Sequence, residues 1–400
     1  MNRLKRFFKW MTILTLSFVS LLVLVVAVLN WRASREVEAR LAPLREAEKP
    51  TSISDLKPLP VADSDNAAKA IEPLEELCRE LDSQLAKAIY QKDTDEEYEA
   101  ALIGLARTIA TDHPELIPSL KKAFALPEFQ PDYEFDLSPT AFMDNVLQQN
   151  RSVRMVARVM HGHGLMSLED GETDEAIADA LSVLKWSGHI ANQPLLVNYL
   201  VSAAVRSQAL DLASRCLVAD NSSPQMRTQL IDALERSDLQ KQFDQSIESE
   251  RAFGISSFES FALFRFQVMV GELSAYLDMV DEFKLIVQRP TGVAPKQPET
   301  SSMFAASTWP AFETGLAALR RSQAKSQAIL ILAAWQDQGS DVTTKVADLR
   351  LPASITLDPF DGSQMKLKAT KDTVVVYSVG QNLTDDGGKL AGELDVGVGR

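Results

Sequence analysis

Residues 162–190 read GHGLMSLEDGETDEAIADALSVLKWSGHI. A helix ends in a Gly-centred turn, and Asp174-Glu175-Ala176-Ile177 opens a second helix. On that second helix Ala176, Ile177, Ala180, Leu181 and Leu184 share one face, with apolar residues three and four apart. Two helices joined by so short a turn form an antiparallel hairpin. The same apolar spacing extends in both directions, so the chain reads as mainly α.

On the N-terminal side, Ile71, Leu74, Leu77, Cys78, Leu81, Leu85 and Ile89 mark one helix face, and Tyr98, Leu102, Leu105, Ala106 and Ile109 a second. Pro114 suits the first turn of a third helix running to Phe124. Residues 126–139, LPEFQPDYEFDLSP, read as an irregular loop. Longer helices are expected over about 141–167, 173–191, 194–218, 224–236, 238–253 and 258–288, with Ser223-Pro224 as a cap and first turn. Pro290, Pro295, Pro298 and Pro310 mark a linker. After it come one helix, about 311–337, and two strand-like runs, Met365 to Ala369 and Thr373 to Val379. The expected organisation is a tail and anchor (1–31), a stalk and Pro-containing linker (32–61), an α-helical domain (62–289), a linker (290–310) and a small α+β module (311–400).

Composition narrows the function classes. The 400 residues carry 41 Lys+Arg against 55 Asp+Glu, a net charge of 41 − 55 = −14, with 46% apolar and 24% charged residues. Such a chain is neither disordered nor many-spanning. Its acidic excess argues against nucleic acid as a partner. The uncharged run Met11 to Leu29, MTILTLSFVSLLVLVVAVL, covers about 28 Å as a helix, close to the bilayer's hydrocarbon thickness. Phe7, Phe8, Trp10 and Trp31 suit the aromatic belts at its two ends. Arg3, Lys5, Arg6 and Lys9 precede the run, so the positive-inside rule keeps the tail in the cytoplasm. The body is then expected on the periplasmic side of a bacterial inner (cytoplasmic) membrane. A cleaved signal peptide would have a shorter apolar region and a small-x-small site. Val26-Ala27-Val28 and Trp31-Arg32-Ala33 are poor sites, which favours an uncleaved, single-pass signal anchor.

The order of motifs after the linker is distinctive. A helix ending near Gly339 is followed by Leu351-Pro352, Asp358-Pro359-Phe360-Asp361-Gly362, a strand, Tyr377-Ser378-Val379-Gly380 and Thr384-Asp385-Asp386-Gly387-Gly388. This resembles the globular part of the major pseudopilin of type II secretion systems. It also resembles a C-terminal module of uncharacterised, membrane-anchored proteins of planctomycete-type bacteria, in which an Asp-Asn-Ala-Ala segment matches Asp65 to Ala68. The resemblance covers about 90 residues. It implies a pilin-like module with calcium on the Asp-rich loop, where Asp385 and Asp386 match the loop carboxylates and Asp395 is the nearest match to a later acid. Calcium wants six to eight oxygens, and the family's two further adjacent acids are here Glu393-Leu394-Asp395. The other reading of the loop is an Asp-Gly turn after a strand. The chain departs from pilins at its start, where no glycine precedes the span and no glutamate lies within it. The segment 162–190 is also similar to a tetratricopeptide-type hairpin, although no 34-residue period recurs.

Catalytic motifs are absent. The chain has no His-Glu-x-x-His, Cys-x-x-Cys, phosphate-binding loop or Gly-x-Ser-x-Gly elbow. His161 and His163 stand about 200° apart around a helix and cannot serve one metal there; His113 reads as part of a helix start. Cys78 and Cys216 read as buried free thiols, the other reading being a disulfide between them in an oxidising compartment. Phe253, Phe258, Phe261, Phe264, Phe266 and Phe283, with Met269 and Met279, read as core, the other reading being a partner-binding groove. These features point to a membrane-anchored scaffold or interaction protein without enzymatic activity. The alternatives are an accessory component of a type II secretion or pilus-like machine, and a hydrolase built on acids such as Glu169, Asp170, Glu172 and Asp174.

Overall fold

The computed structural model describes residues 2–89, 94–219, 221–260, 267–288, 296, 302–390 and 394–399. The chain folds into α1 (Asn2–Glu46), α2 (Ala67–Ile71), α3 (Glu75–Ile89), α4 (Asp95–Asp112), α5 (Leu116–Ala125), α6 (Pro139–Glu169), α7 (Thr173–Ala191) and α8 (Leu196–Ala219). These are followed by α9 (Pro224–Glu235), α10 (Leu239–Ser260), α11 (Gln267–Val287) and α12 (Met303–Asp337). A small antiparallel sheet ends the chain, with strands β1 (Lys366–Ala369), β2 (Val374–Ser378) and β3 (Val396–Gly399) in that order. Lys366 lies opposite Tyr377, and Ser378 opposite Val396.

The turn between α6 and α7 forms as its sequence requires. Gly171 has φ +81°, the left-handed conformation that costs a residue without a side chain least. Its N–H donates to Leu168 O at 3.1 Å, and the Glu172 N–H to Ser167 O at 2.8 Å, closing the last turn of α6. Across the turn Ala176, Ile177 and Ala180 are fully buried. Trp186, farther along α7, stacks on Phe124 at 4.6 Å and donates to Val153 O at 3.1 Å. Ser223 caps α9 by accepting from Met226 N, with Pro224 in the first turn.

The N-terminal helix is long enough and apolar enough to cross a membrane. Its apolar residues from Met11 to Leu29 face outward, as do Trp10 and Trp31. Beyond the span the helix continues through the segment expected as a stalk and changes character. Ala33 and Leu41 are fully buried, Val37 and Leu44 pack beside Leu41, and Arg40 pairs with Asp278 and donates to Ser274 O on α11.

The helical segment and the terminal module, expected as separate domains, share a core. One apolar cluster runs from Ala67 and Cys78 through α4–α9 to Ile329, Ile331, Met365, Val376 and Val398. A second joins Leu41, Tyr199, Phe243, Phe258, Tyr276, Phe283, Trp309, Phe312 and Leu316. The N-terminal half of α12 lies in the second cluster and its C-terminal half in the first, so this helix of about 52 Å joins the two.

Burial also moves the start of α12 from the expected 311 to Met303, with Pro310 inside the helix. Ser302 caps it through Ala305 N, and the burial of Ala305, Trp309 and Phe312 offsets the roughly 3 kcal/mol cost of an interior proline. Of the Phe-rich cluster, Phe258, Phe283 and Met279 are core; Phe261, Phe264 and Phe266 lie outside the described residues. The third strand was not expected, because Val396-Gly397-Val398-Gly399 alternates with the residue least suited to strands. A side chain at Gly397 would meet Val376 O at 2.0 Å, so close approach of the backbones selects glycine there.

Candidate functional site

The C-terminal motifs are tied together through carboxylates. Asp358, 1% exposed, accepts from Phe360 N at 2.8 Å, from the Ser378 hydroxyl at 2.8 Å and from Val379 N at 2.9 Å. The Asp-Pro-Phe turn is thereby fastened to the Tyr-Ser-Val-Gly strand. Burial nevertheless raises the Asp358 pKa, outweighing these donors. In the Asp-rich loop, Asp395 is 1% exposed and accepts from Asp386 N, Gly388 N and Lys389 N at 3.3, 2.7 and 3.1 Å. Asp385 turns the other way, accepting from Tyr377 Oη at 3.0 Å and Gly387 N at 3.0 Å, with Lys366 at 3.6 Å. The Asp386 carboxylate accepts from Asn382 at 2.8 Å. Asp386 and Asp395 are therefore linked through a backbone amide, while Asp385 faces a separate set of partners. Near the start of the body, Asn66 caps α2 and exchanges two hydrogen bonds with the Gln130 backbone, both 2.9 Å.

A second cluster joins three helices. His163 on α6 and Asp179 on α7 approach to 2.6 Å, and the Lys121 ammonium on α5 lies 2.7 Å from the other oxygen of Asp179 while also pairing with Glu175. Asp179 is wholly buried. Burial draws the Lys121 pKa down, but Asp179 and Glu175 overcome this and hold it above its usual range. The donor atoms of His163, Glu175 and Asp179 lie within 4.8 Å of one another, a set that suits a metal ion. Lys121 already supplies positive charge at these carboxylates, so an ion would compete with it.

The third feature is a cleft of about 890 Å³ between α8 and α12, lined also by Phe360, Gln381 and Leu383 of the terminal module. His161 reaches it from α6; Ser207, Gln208 and Asp211 line it from α8, and Glu313, Arg320, Arg321 and Lys325 from α12. Lys325 donates to Ser207 Oγ at 2.9 Å. His161 is 8% exposed, and burial pushes its pKa down to about 4, so the ring is neutral near pH 7. Its Nδ1 and the Gln208 Oε1 are buried without a hydrogen-bond partner. Burial also lowers the Arg320 pKa, opposed by the charge of Asp358.

His161 and His163 thus serve different surroundings, as their helical separation requires. Cys78 and Cys216 are free and buried, their thiols pushed up by burial to about 11 and about 12. The acids considered for hydrolysis are exposed: Glu169 and Asp170 both pair with Arg107, and Asp174 accepts from Ser223 N. The sequence reading missed Lys121, Asp179, Gln208 and the α12 cations, because polar and charged residues on an amphipathic helix ordinarily face solvent. No family model matches the chain, and neither a curated protein nor a solved structure is found similar to it.

Proposed function

We propose that the protein is a single-pass membrane-anchored scaffold, acting by binding rather than catalysis, with its body on the periplasmic side of a bacterial inner membrane. One observation carries this reading: α1 passes unbroken from an outward-facing apolar span into the second core, where Leu41 is buried and Arg40 pairs with Asp278. A body joined in this way is held at a fixed distance from the bilayer, which suits docking to another envelope component. Arg3, Lys5, Arg6 and Lys9 before the span support a cytoplasmic tail. The motif order in residues 311–400 supports a pilin-like terminal module, with calcium at Asp385, Asp386 and Asp395, as the docking element. The test is mild cross-linking in intact cells, detergent extraction and mass spectrometry of the proteins recovered with the full-length chain. Recovery of defined envelope partners, lost when residues 340–400 are deleted, supports the reading. Recovery of the chain by itself, with periplasmic protease unable to reach the body, overturns it.

A further inference from the structure

We propose that the end of the body at which α11 and α12 begin rests on the lipid headgroups of the bilayer that α1 crosses. The proposal depends on the reading of Met11 to Leu29 as the span. Contacts at two levels fix the direction of α11 against α1. Arg40 donates to Ser274 O at 3.0 Å and pairs with Asp278, while Glu248 pairs with Lys49, at 3.2 Å, and with Lys284. The step outward from Arg40 to Lys49 thus matches the step from the 274–278 turn to Lys284, and the two helices run the same way. Glu272 accepts from Ser302 Oγ at 2.7 Å and from Phe304 N at 3.2 Å, which sets the start of α12 beside it. Phe283 meets Trp309 and Phe312 edge-on at 5.6 and 5.0 Å, so α12 also runs outward.

At 1.5 Å per residue, Arg40 stands about 16 Å beyond Leu29, the last residue of the span. Glu272 lies about one turn nearer the membrane, at roughly 10 Å, and α11 begins five residues earlier still, at Gln267. The headgroup layer is about 5–8 Å deep on each side of the hydrocarbon. The first turn of α11 therefore lies within it, and Met303, opening α12, stands at its outer edge. Three observations agree. Ala33, about 6 Å past Leu29, has no exposed surface, so another part of the chain covers α1 at headgroup level. Met303 is 84% exposed, a large apolar side chain at that end of the body. Trp31 is exposed, with the Arg35 guanidinium 5.0 Å over its ring, an interfacial indole beside a cation suited to lipid phosphate. Arg32 and Arg35 outnumber Glu36 in this turn, and Glu38 pairs with Arg45. A body resting there points α12 outward, and the terminal module, packed on that helix's C-terminal half, is carried away from the bilayer.

The experiment uses the full-length protein in vesicles of phosphatidylethanolamine and phosphatidylglycerol in equal parts, carrying a headgroup-nitroxide lipid in both leaflets. Met303→Cys and Val342→Cys each place a bimane label on an exposed site, 342 lying just past the outer end of α12. Cys78 and Cys216 are buried, and the unsubstituted chain taken through the same labelling is the blank. The two sites are about 50 Å apart along α12, so the nitroxide should quench the 303 label roughly fivefold or more above the 342 label. Flotation of the same vesicles reports the anchor separately. Flotation with equal quenching at 303 and 342 overturns the proposal and leaves the span standing. Failure to float overturns the span, and the proposal with it.

Discussion

The carboxylate of Asp358 lies 2.8 Å from the hydroxyl of Ser378 and, through its other oxygen, 2.9 Å from the Val379 N–H. Two motifs twenty residues apart in the sequence are thereby joined inside the module. Replacing Asp358 with Asn leaves one carbonyl oxygen to accept from three donors, Phe360 N included. A loss of about 2–3 kcal/mol is expected, against about 1 kcal/mol for Ser378→Ala. Equilibrium denaturation in urea measures both, and an Asp358→Asn loss below that of Ser378→Ala would show that the carboxylate is not the anchor.

The Asp-rich loop is closed by Asp395 from within. Asp395→Asn should therefore cost about 1–3 kcal/mol, and Asp386→Asn, whose carboxylate meets Asn382 at the surface, less than 0.5 kcal/mol. The proposed calcium ion adds a separate expectation. The native melting temperature should rise in calcium relative to chelator, and the double variant Asp385→Ala with Asp386→Ala should lose that rise. Equal native melting in both conditions assigns the loop to turn formation instead.

How far the fold was legible follows from where the forces lie. The hairpin at Gly171 was legible because it is local: an apolar face, a glycine and an acidic first turn lie within thirty residues. The docking of α1 was not, although Ala33, Val37, Leu41 and Leu44 recur at helical spacing, because charged neighbours mask the stripe and its partner is some 230 residues away. The His163–Asp179 contact had an overlooked signal. Each residue stands eight positions from Gly171, and an antiparallel hairpin brings such positions together. The cleft had none, since its walls come from α6, α8, α12 and the terminal module.

Docking of α1 predicts that deleting residues 1–31 releases a folded body from the membrane fraction, whereas deleting 1–46 also removes Leu41 from the second core. Leu41→Ala in the shorter deletion should cost about 2–4 kcal/mol. Thermal melts of the three proteins decide the matter, and identical melting of both deletions would make the contact incidental.

Acid stability is governed in part by His161. Folding lowers its pKa from 6.5 to about 4 by burial, with Asp211 and Glu99 opposing and Arg215 reinforcing the shift. Between those values the unfolded chain binds the proton and the folded chain does not. Stability is therefore lost as pH falls from about 6.5 to 4, by up to about 3 kcal/mol from this group, with no further loss below. His189, also lowered by burial, adds to the same slope. His161→Gln should flatten the pH dependence of the urea midpoint over this window, and an unchanged slope would place the ring in contact with solvent.

Lys121 decides whether the His163, Glu175 and Asp179 donors act as a structural junction or as a metal site. In the native chain its ammonium balances the wholly buried Asp179, so zinc should leave the native melting temperature within about 1 °C of that in chelator. Lys121→Ala removes the balancing charge and leaves a histidine and two carboxylates within 4.8 Å of one another. In chelator the variant should lose about 3–5 kcal/mol, the cost of breaking a buried pair. Zinc should then restore much of that loss, because binding to the folded state stabilises by mass action. Stabilisation of the native protein by zinc would mean instead that the ammonium yields to the ion, and that the junction is a metal site in its own right.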